Sequence, residues 1–199
     1  MKQTLRMILP LDQLPAFFPL LQQGVWMDAQ IGCSVMSLLT GQFGVAEDYV
    51  LERITTLFLD GKAVDDLETS YVKDGSTVAL SSAMPGLVGT TMRRGGHLAA
   101  MRGEITCQSQ QQPESGPGKV KIKLFNMVMA EQGARFLAQG AQLSNDGLKS
   151  FLDEQDDSFS QSFGTVILGG RQIDPANLKK HARLADPNEE VVLKVEFKA

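Results

Sequence analysis

Two stretches of the chain open with an apolar run that predicts a strand, Thr4 to Leu9 and Val120 to Met129. Each leads to a similar tetrapeptide, Leu21-Gln22-Gln23-Gly24 in one half and Leu137-Ala138-Gln139-Gly140 in the other. A helix is predicted next in each half. In the first it covers Ser34 to Leu39 with Ser34 as N-cap. In the second it covers Ser144 to Glu154, where Leu148, Phe151 and Leu152 fall at i, i+3 and i+4 on one side. A further strand then runs into a glycine turn. Phe58-Leu59-Asp60-Gly61-Lys62-Ala63-Val64-Asp65 reads against Ile167-Leu168-Gly169-Gly170-Arg171-Gln172-Ile173-Asp174, two apolar residues, a turn, a base, an aliphatic and an aspartate. Both halves close on a strand that follows an acidic turn, Asp74 to Leu80 and Asp186 to Leu193.

The order strand, strand, helix, strand, turn, closing strand therefore occurs twice. It predicts an α+β protein of two tandem units, each a small mixed sheet with one packed helix. The first unit is expected over residues 1–89, the second over 119–199, with a Gly/Arg-rich segment and linker over 90–118. The first copy carries a longer connection, Gly41 to Arg53, of the kind a surface loop absorbs. The Gln, Ser, Pro and Gly content of Gln108 to Gly118 predicts a solvated, flexible connector, and the boundary between the halves is expected there.

On Gly32-Cys33-Ser34-Val35-Met36-Ser37-Leu38-Leu39, Phe58-Leu59-Asp60-Gly61-Lys62 and Asp74-Gly75-Ser76-Thr77-Val78-Ala79-Leu80, the first half resembles the β-grasp, or ubiquitin-like, fold. Within that fold it resembles the small sulfur carriers of molybdopterin and thiamin synthesis, whose helix opens on GxTVxxLL and whose sheet closes on DGDxVxxxPP. The resemblance covers residues 4–89 and, in a diverged second copy, 119–197. It implies a function carried by a C-terminal Gly-Gly that is adenylated and converted to a thiocarboxylate. This chain ends in Glu196-Phe197-Lys198-Ala199, and its Gly95-Gly96 pair stands 14 residues past Ser82, so carrier chemistry would require cleavage after Gly96.

Composition narrows the classes further. With 43% hydrophobic and 21% charged residues over 199 positions, the chain has the make-up of a globular protein with a core. A net charge of −4 supplies no general attraction to nucleic acid or to an anionic membrane, and neither is expected as a partner. Lys2 and Arg6 precede an apolar run as in a signal peptide. Asp12 interrupts that run, no small-residue cleavage site follows, and no stretch reaches the roughly 20 apolar residues of a membrane span, so a cytoplasmic protein is expected. Cys33 and Cys107 belong to no CxxC pair and have only His97 and His181 as soft companions, which points to free thiols, no metal and no cofactor.

No catalytic constellation is legible, since neither His97 nor His181 accompanies a recognisable nucleophile motif. The best functional candidate is Gly89-Thr90-Thr91-Met92-Arg93-Arg94-Gly95-Gly96-His97. Its glycines allow backbone N–H groups to converge on an anion, and its arginines offer forked donors to phosphate or carboxylate. The candidate anion set is Thr90, Thr91, Arg93, Arg94, Gly95, Gly96 and His97. It has neither P-loop nor GxGxxG order. The same residues equally fit a closely packed crossover whose arginines pair with the chain's own carboxylates, and Arg102 suits either reading.

Other charged groups read as structural. Lys179-Lys180-His181 is expected on a solvated face, Asp153-Glu154-Gln155-Asp156-Asp157 at a helix end without calcium-loop spacing, and Asp65, Asp66 and Asp174 in turn roles that recur in both copies. Trp26, Phe17, Phe18 and Met27 are expected in the core or between units. The resulting expectation is a non-enzymatic interaction or adaptor protein whose partner is another protein. The alternatives are a small-anion, nucleotide or phosphate-binding protein using the Arg/Gly segment, and a sulfur-carrier-like protein cleaved after Gly96.

Overall fold

The computed structural model describes residues 3–107, 112–156, 159, 161–184 and 189–198. It is a mixed α/β protein. Its strands, in chain order, are β1 Gln3–Pro10, β2 Val25–Ile31, β3 Thr56–Leu59, β4 Lys62–Ala63, β5 Thr77–Ser81, β6 Gly116–Phe125, β7 Ala141–Ser144, β8 Thr165–Leu168, β9 Arg171–Ile173 and β10 Glu190–Lys198. The helices are α1 Phe18–Gln23, α2 Val35–Ser37 with a π-type turn Leu38–Gln42, α3 Glu47–Glu52, α4 Gly86–Met92, α5 Met127–Gln139, α6 Asn145–Glu154 and α7 Leu178–Leu184. The chain divides into two compact units, Leu21–Gln132 and Met1–Leu20 together with Gly133–Ala199.

In the unit Leu21–Gln132, β5 and β6 form a central parallel pair. Strand β2 runs antiparallel to β6 on one side, and β3 runs antiparallel to β5 on the other, with β4 completing a hairpin. Register places Val78 opposite Ile122 and Leu80 opposite Leu124, all fully buried, so one face of the sheet is core. Val35, Leu38 and Leu39 are fully buried as well. The helix that carries them starts where expected: the Ser34 hydroxyl accepts the Ser37 N–H at 3.1 Å.

The other unit also has a central parallel pair with an antiparallel strand on each side, but the closing strand β10 neighbours β7 where β5 neighbours the hairpin strand β3. Here β1 and β10 are the parallel pair, β7 is antiparallel to β10, and β8 is antiparallel to β1 and forms a hairpin with β9. Ser144 caps α6 by accepting the Gly147 N–H at 3.0 Å, as expected. Phe17 is fully buried, its ring 5.1 Å from Phe151 and 5.8 Å from both Phe159 and Phe197. Phe17 is thus a core residue, as Met27 is in the first unit at 2% exposure.

The division differs from the expected boundaries 1–89, 90–118 and 119–199. The opening strand of the first half, β1, pairs with β8 and β10 of the second half, and β6 pairs with β2 and β5 of the first. The physical reason is that Leu5, Met7 and Leu9 on β1 and Val120, Ile122 and Leu124 on β6 present equivalent apolar faces, at most 1% exposed. Alternation tells a strand which face to bury and leaves its neighbour unspecified. Each half also contains a helix between its first two strands, α1 after a 3-10 turn Leu11–Phe17 and α5, where a direct strand-to-strand passage was expected. The run expected as a strand to Met129 stops at Asn126, whose φ of +55° turns the chain out of the extended region before α5 begins.

The described residues of the intervening segment carry regular structure where a linker was expected. They form α4 and a 3-10 turn Ala99–Ile105. The Cys107 N–H donates to the Ala63 carbonyl at 2.7 Å, and Gly116–Gly118 already belong to β6. The expected loop Gly41–Arg53 contains α3. Gln108–Gln111, Asp157 and Asp186–Asn188 lie outside the described residues.

Candidate functional site

The anion candidate falls on α4 and the turn after it, all within Leu21–Gln132. Helix α4 is anchored by Gly89, where an added Cβ would stand 1.8 Å from the Met84 carbonyl oxygen, so only glycine permits this approach. Thr90 and Thr91 spend their hydroxyl protons within the helix, donating to the carbonyls of Gly86 at 3.2 Å and Leu87 at 3.0 Å.

The structure separates the three arginines of the region by what they bind. Arg94 Nη2 donates to the carbonyls of Val50 at 2.9 Å and Leu51 at 2.8 Å, satisfying orphan acceptors at the end of α3. Burial lowers the pKa of this guanidinium, against a smaller opposing pull from Asp65. The Arg102 side chain is wholly buried and donates from Nη2 to Asp65 Oδ1 at 2.6 Å. That same carboxylate oxygen accepts the Gly95 N–H at 3.0 Å. The anion held by this glycine–arginine turn is therefore the protein's own Asp65. Gly96 N–H bonds the Arg93 carbonyl at 3.1 Å, and a carrier-type tail ending at Gly96 would have to give up the Asp65 contact next to it. His97 is exposed, and Arg93 is exposed with no partner for its guanidinium among the described residues.

Two cavities border this region. The larger, about 480 Å³, lies on the face of β3, β5 and β6 opposite the core and is lined by Phe58, Ala79, Met84, Lys123, Phe125 and Asn126 among others. Its floor is half-buried, with aromatic rings at Phe58 and Phe125 and polar groups at its edge, the make-up of a ligand-accepting cleft. Asn126, in its left-handed conformation, donates from Nδ2 to Ser81 Oγ at 2.9 Å and to the Ala83 carbonyl, fixing one rim. The smaller cavity, about 280 Å³, is lined by Thr55, Thr56, Ser82, Met84, Thr90 and Arg93 among others. Sequence reasoning missed the larger, because Phe58, Ala79 and Phe125 meet only through strand pairing, and of the smaller it named Thr90 and Arg93 without Thr55, Thr56 and Ser82. The polar edge residues carry no motif.

The remaining candidates have local roles. Asp66 accepts the N–H groups of Glu68 and Thr69 at 2.9 and 3.2 Å, and the Glu68 bond is the leading cause of its lowered pKa. Asp174 accepts the Ala176 N–H at 2.9 Å at the start of a 3-10 turn. Lys179 Nζ donates to the Gln155 carbonyl at 2.8 Å, and His181 is exposed on α7. Neither Cys33 nor Cys107 is in a disulfide. Burial raises the Cys33 pKa, while its thiol donates to the Gln30 carbonyl at 3.2 Å. Among the described residues no group of three or more His, Cys, Asp or Glu side chains converges, and no helix is long and apolar enough to cross a membrane. Comparison with protein-family models, curated proteins and solved structures gives no significant match.

Proposed function

We propose that the chain is a non-enzymatic interaction protein built from two duplicated β-grasp-like, ubiquitin-like units, and that its partner is another protein. The partner seats an apolar side chain in the cleft over β3, β5 and β6. One observation carries this reading: the 480 Å³ cleft is floored by half-buried Phe58, Ala79 and Phe125 on a sheet face whose opposite side is already the core. An aromatic floor with a rim of Lys123 and Asn126 suits an apolar anchor whose neighbours remain polar. The duplication is supported by the matched serine caps and the matched glycine hairpins of the two halves.

A photocrosslinking residue at Thr77 on the cleft rim tests the reading in the native host. The expected result is one discrete adduct with a second polypeptide, lost when Ala79→Glu puts a charge on the cleft floor while thermal unfolding keeps its cooperativity. No adduct with the otherwise unaltered chain, or an adduct equally abundant with Ala79→Glu, overturns it.

A further inference from the structure

We propose that the smaller cavity, beside α4, is a binding site for a tetrahedral oxyanion of the phosphate class, with Arg93, Thr56, Ser82 and Thr90 as its ligating groups. It is separate from the anion turn around Asp65, where Arg94 and Arg102 are already committed to the fold. It also stands independently of the protein-binding cleft, although Met84 lines both cavities.

The first observation is the state of Thr56. It is 1% exposed, and its Oγ1 has no hydrogen-bond partner although it lies in the lining of the cavity. A buried hydroxyl left unpaired loses its hydration without compensation, and native folds retain few such groups. The neighbouring Thr55 shows the contrast, since its hydroxyl donates to the Ser82 carbonyl at 2.7 Å and ties the end of β5 to the start of β3. Thr56 therefore holds an unused donor at the floor of a space of about 280 Å³, ample for a phosphate-sized ion and its first waters.

The second observation is charge. The exposed Arg93 guanidinium lines the same cavity and pairs with nothing among the described residues. Half-buried Arg94 next to it bonds two carbonyls and feels the Asp65 carboxylate, so Arg93 is the cation this cavity has to offer. Arg93 supplies forked donors to one edge of an oxyanion. The Thr90 hydroxyl has only a long 3.2 Å bond to the Gly86 carbonyl, and it re-aims its proton at small cost. Met84, an adaptable side chain, lines the cavity together with Thr56. Shared chemistry leaves two sources, inorganic phosphate or a phosphomonoester on a small molecule.

Calorimetric titration of the full chain at low ionic strength, with inorganic phosphate in one arm and free O-phosphoserine in the other, tests the site. The arm with tighter binding identifies the source. Saturable binding to the unaltered protein is expected, weakened at least tenfold by Arg93→Ala and severalfold by Thr56→Val. The valine variant provides a second readout: without ligand it should melt at the same temperature or higher, because a methyl replaces an unpaired buried hydroxyl. A merely structural threonine would instead lose stability on this change. Absence of saturable binding in both arms, or binding by both variants equal to that of the unaltered chain, overturns the proposal.

Discussion

Glu131 shows how one exposed side chain organises its surroundings. Its carboxylate accepts from the Tyr49 hydroxyl and from Arg53 Nη2, both at 2.6 Å, joining α3 and the start of α5 within one unit. The Tyr49 bond is the leading cause of a lowered Glu131 pKa, followed by the bond from Arg53. The tyrosine pKa rises through burial first and the same hydrogen bond second. The folded carboxyl thus titrates below its ordinary value of 4.5. Its stabilising effect is complete above that value and is lost as pH falls through the lowered one. Glu131→Gln should therefore melt earlier than the unaltered chain near neutral pH, with the difference closing as pH falls from 4.5 through the lowered value. Thermal melts of both proteins from pH 3 to 7 check this. A difference that persists unchanged at pH 3 would assign the effect to packing instead.

Hairpins and helix starts are the elements whose conformation is fixed most locally, and they were the most legible. Asp60-Gly61 and Gly169-Gly170 both adopt positive φ at two successive residues, 50° and 79° in one and 57° and 81° in the other. This turn twists in the sense that adjacent strands require, so a two-residue loop with glycine announces it from sequence. Serine caps are equally local. Strand ends are less so: nothing between Val120 and Met129 is a glycine or proline, and the end of β6 is set by the Asn126 conformation and its bonds to Ser81 and Ala83. The site shared that fate. Arg93 and Thr90 stood out as polar residues among glycines, whereas Thr56 and Ser82 become neighbours only through the β3–β5 ladder that sets Thr56 opposite Ser81. Two glycines separate conformational from steric cost. At Gly61 an added Cβ meets nothing within 4 Å, so Gly61→Ala should cost about 1 kcal/mol from φ alone. Gly89→Ala should cost clearly more, since its Cβ would overlap the Met84 carbonyl. Urea denaturation of the two variants measures the ordering, and equal losses would contradict it.

At the scale of the whole molecule, the reassignment of β1 and β6 decides which pieces of the chain can stand alone. A fragment 1–89 keeps β1 but lacks β6, so its sheet loses the strand that pairs with both β2 and β5. Val120, Ile122 and Leu124 are fully buried, and at about 1.5–3 kcal/mol for each such side chain their absence removes roughly the stability of a whole small domain. A fragment 119–199 has the opposite defect, for it carries β6 without β2 or β5 and lacks β1, the parallel partner of β10. By contrast, Leu21–Gln132 is continuous in sequence and contains β2 to β6 with every pairing among them. Fragment 21–132 is therefore expected to unfold cooperatively in denaturant with dispersed amide resonances. Fragments 1–89 and 119–199, made separately, should show neither. Cooperative unfolding of 1–89 by itself would mean that β5 closes the first sheet without β6, and the exchange of opening strands would then be dispensable to the fold.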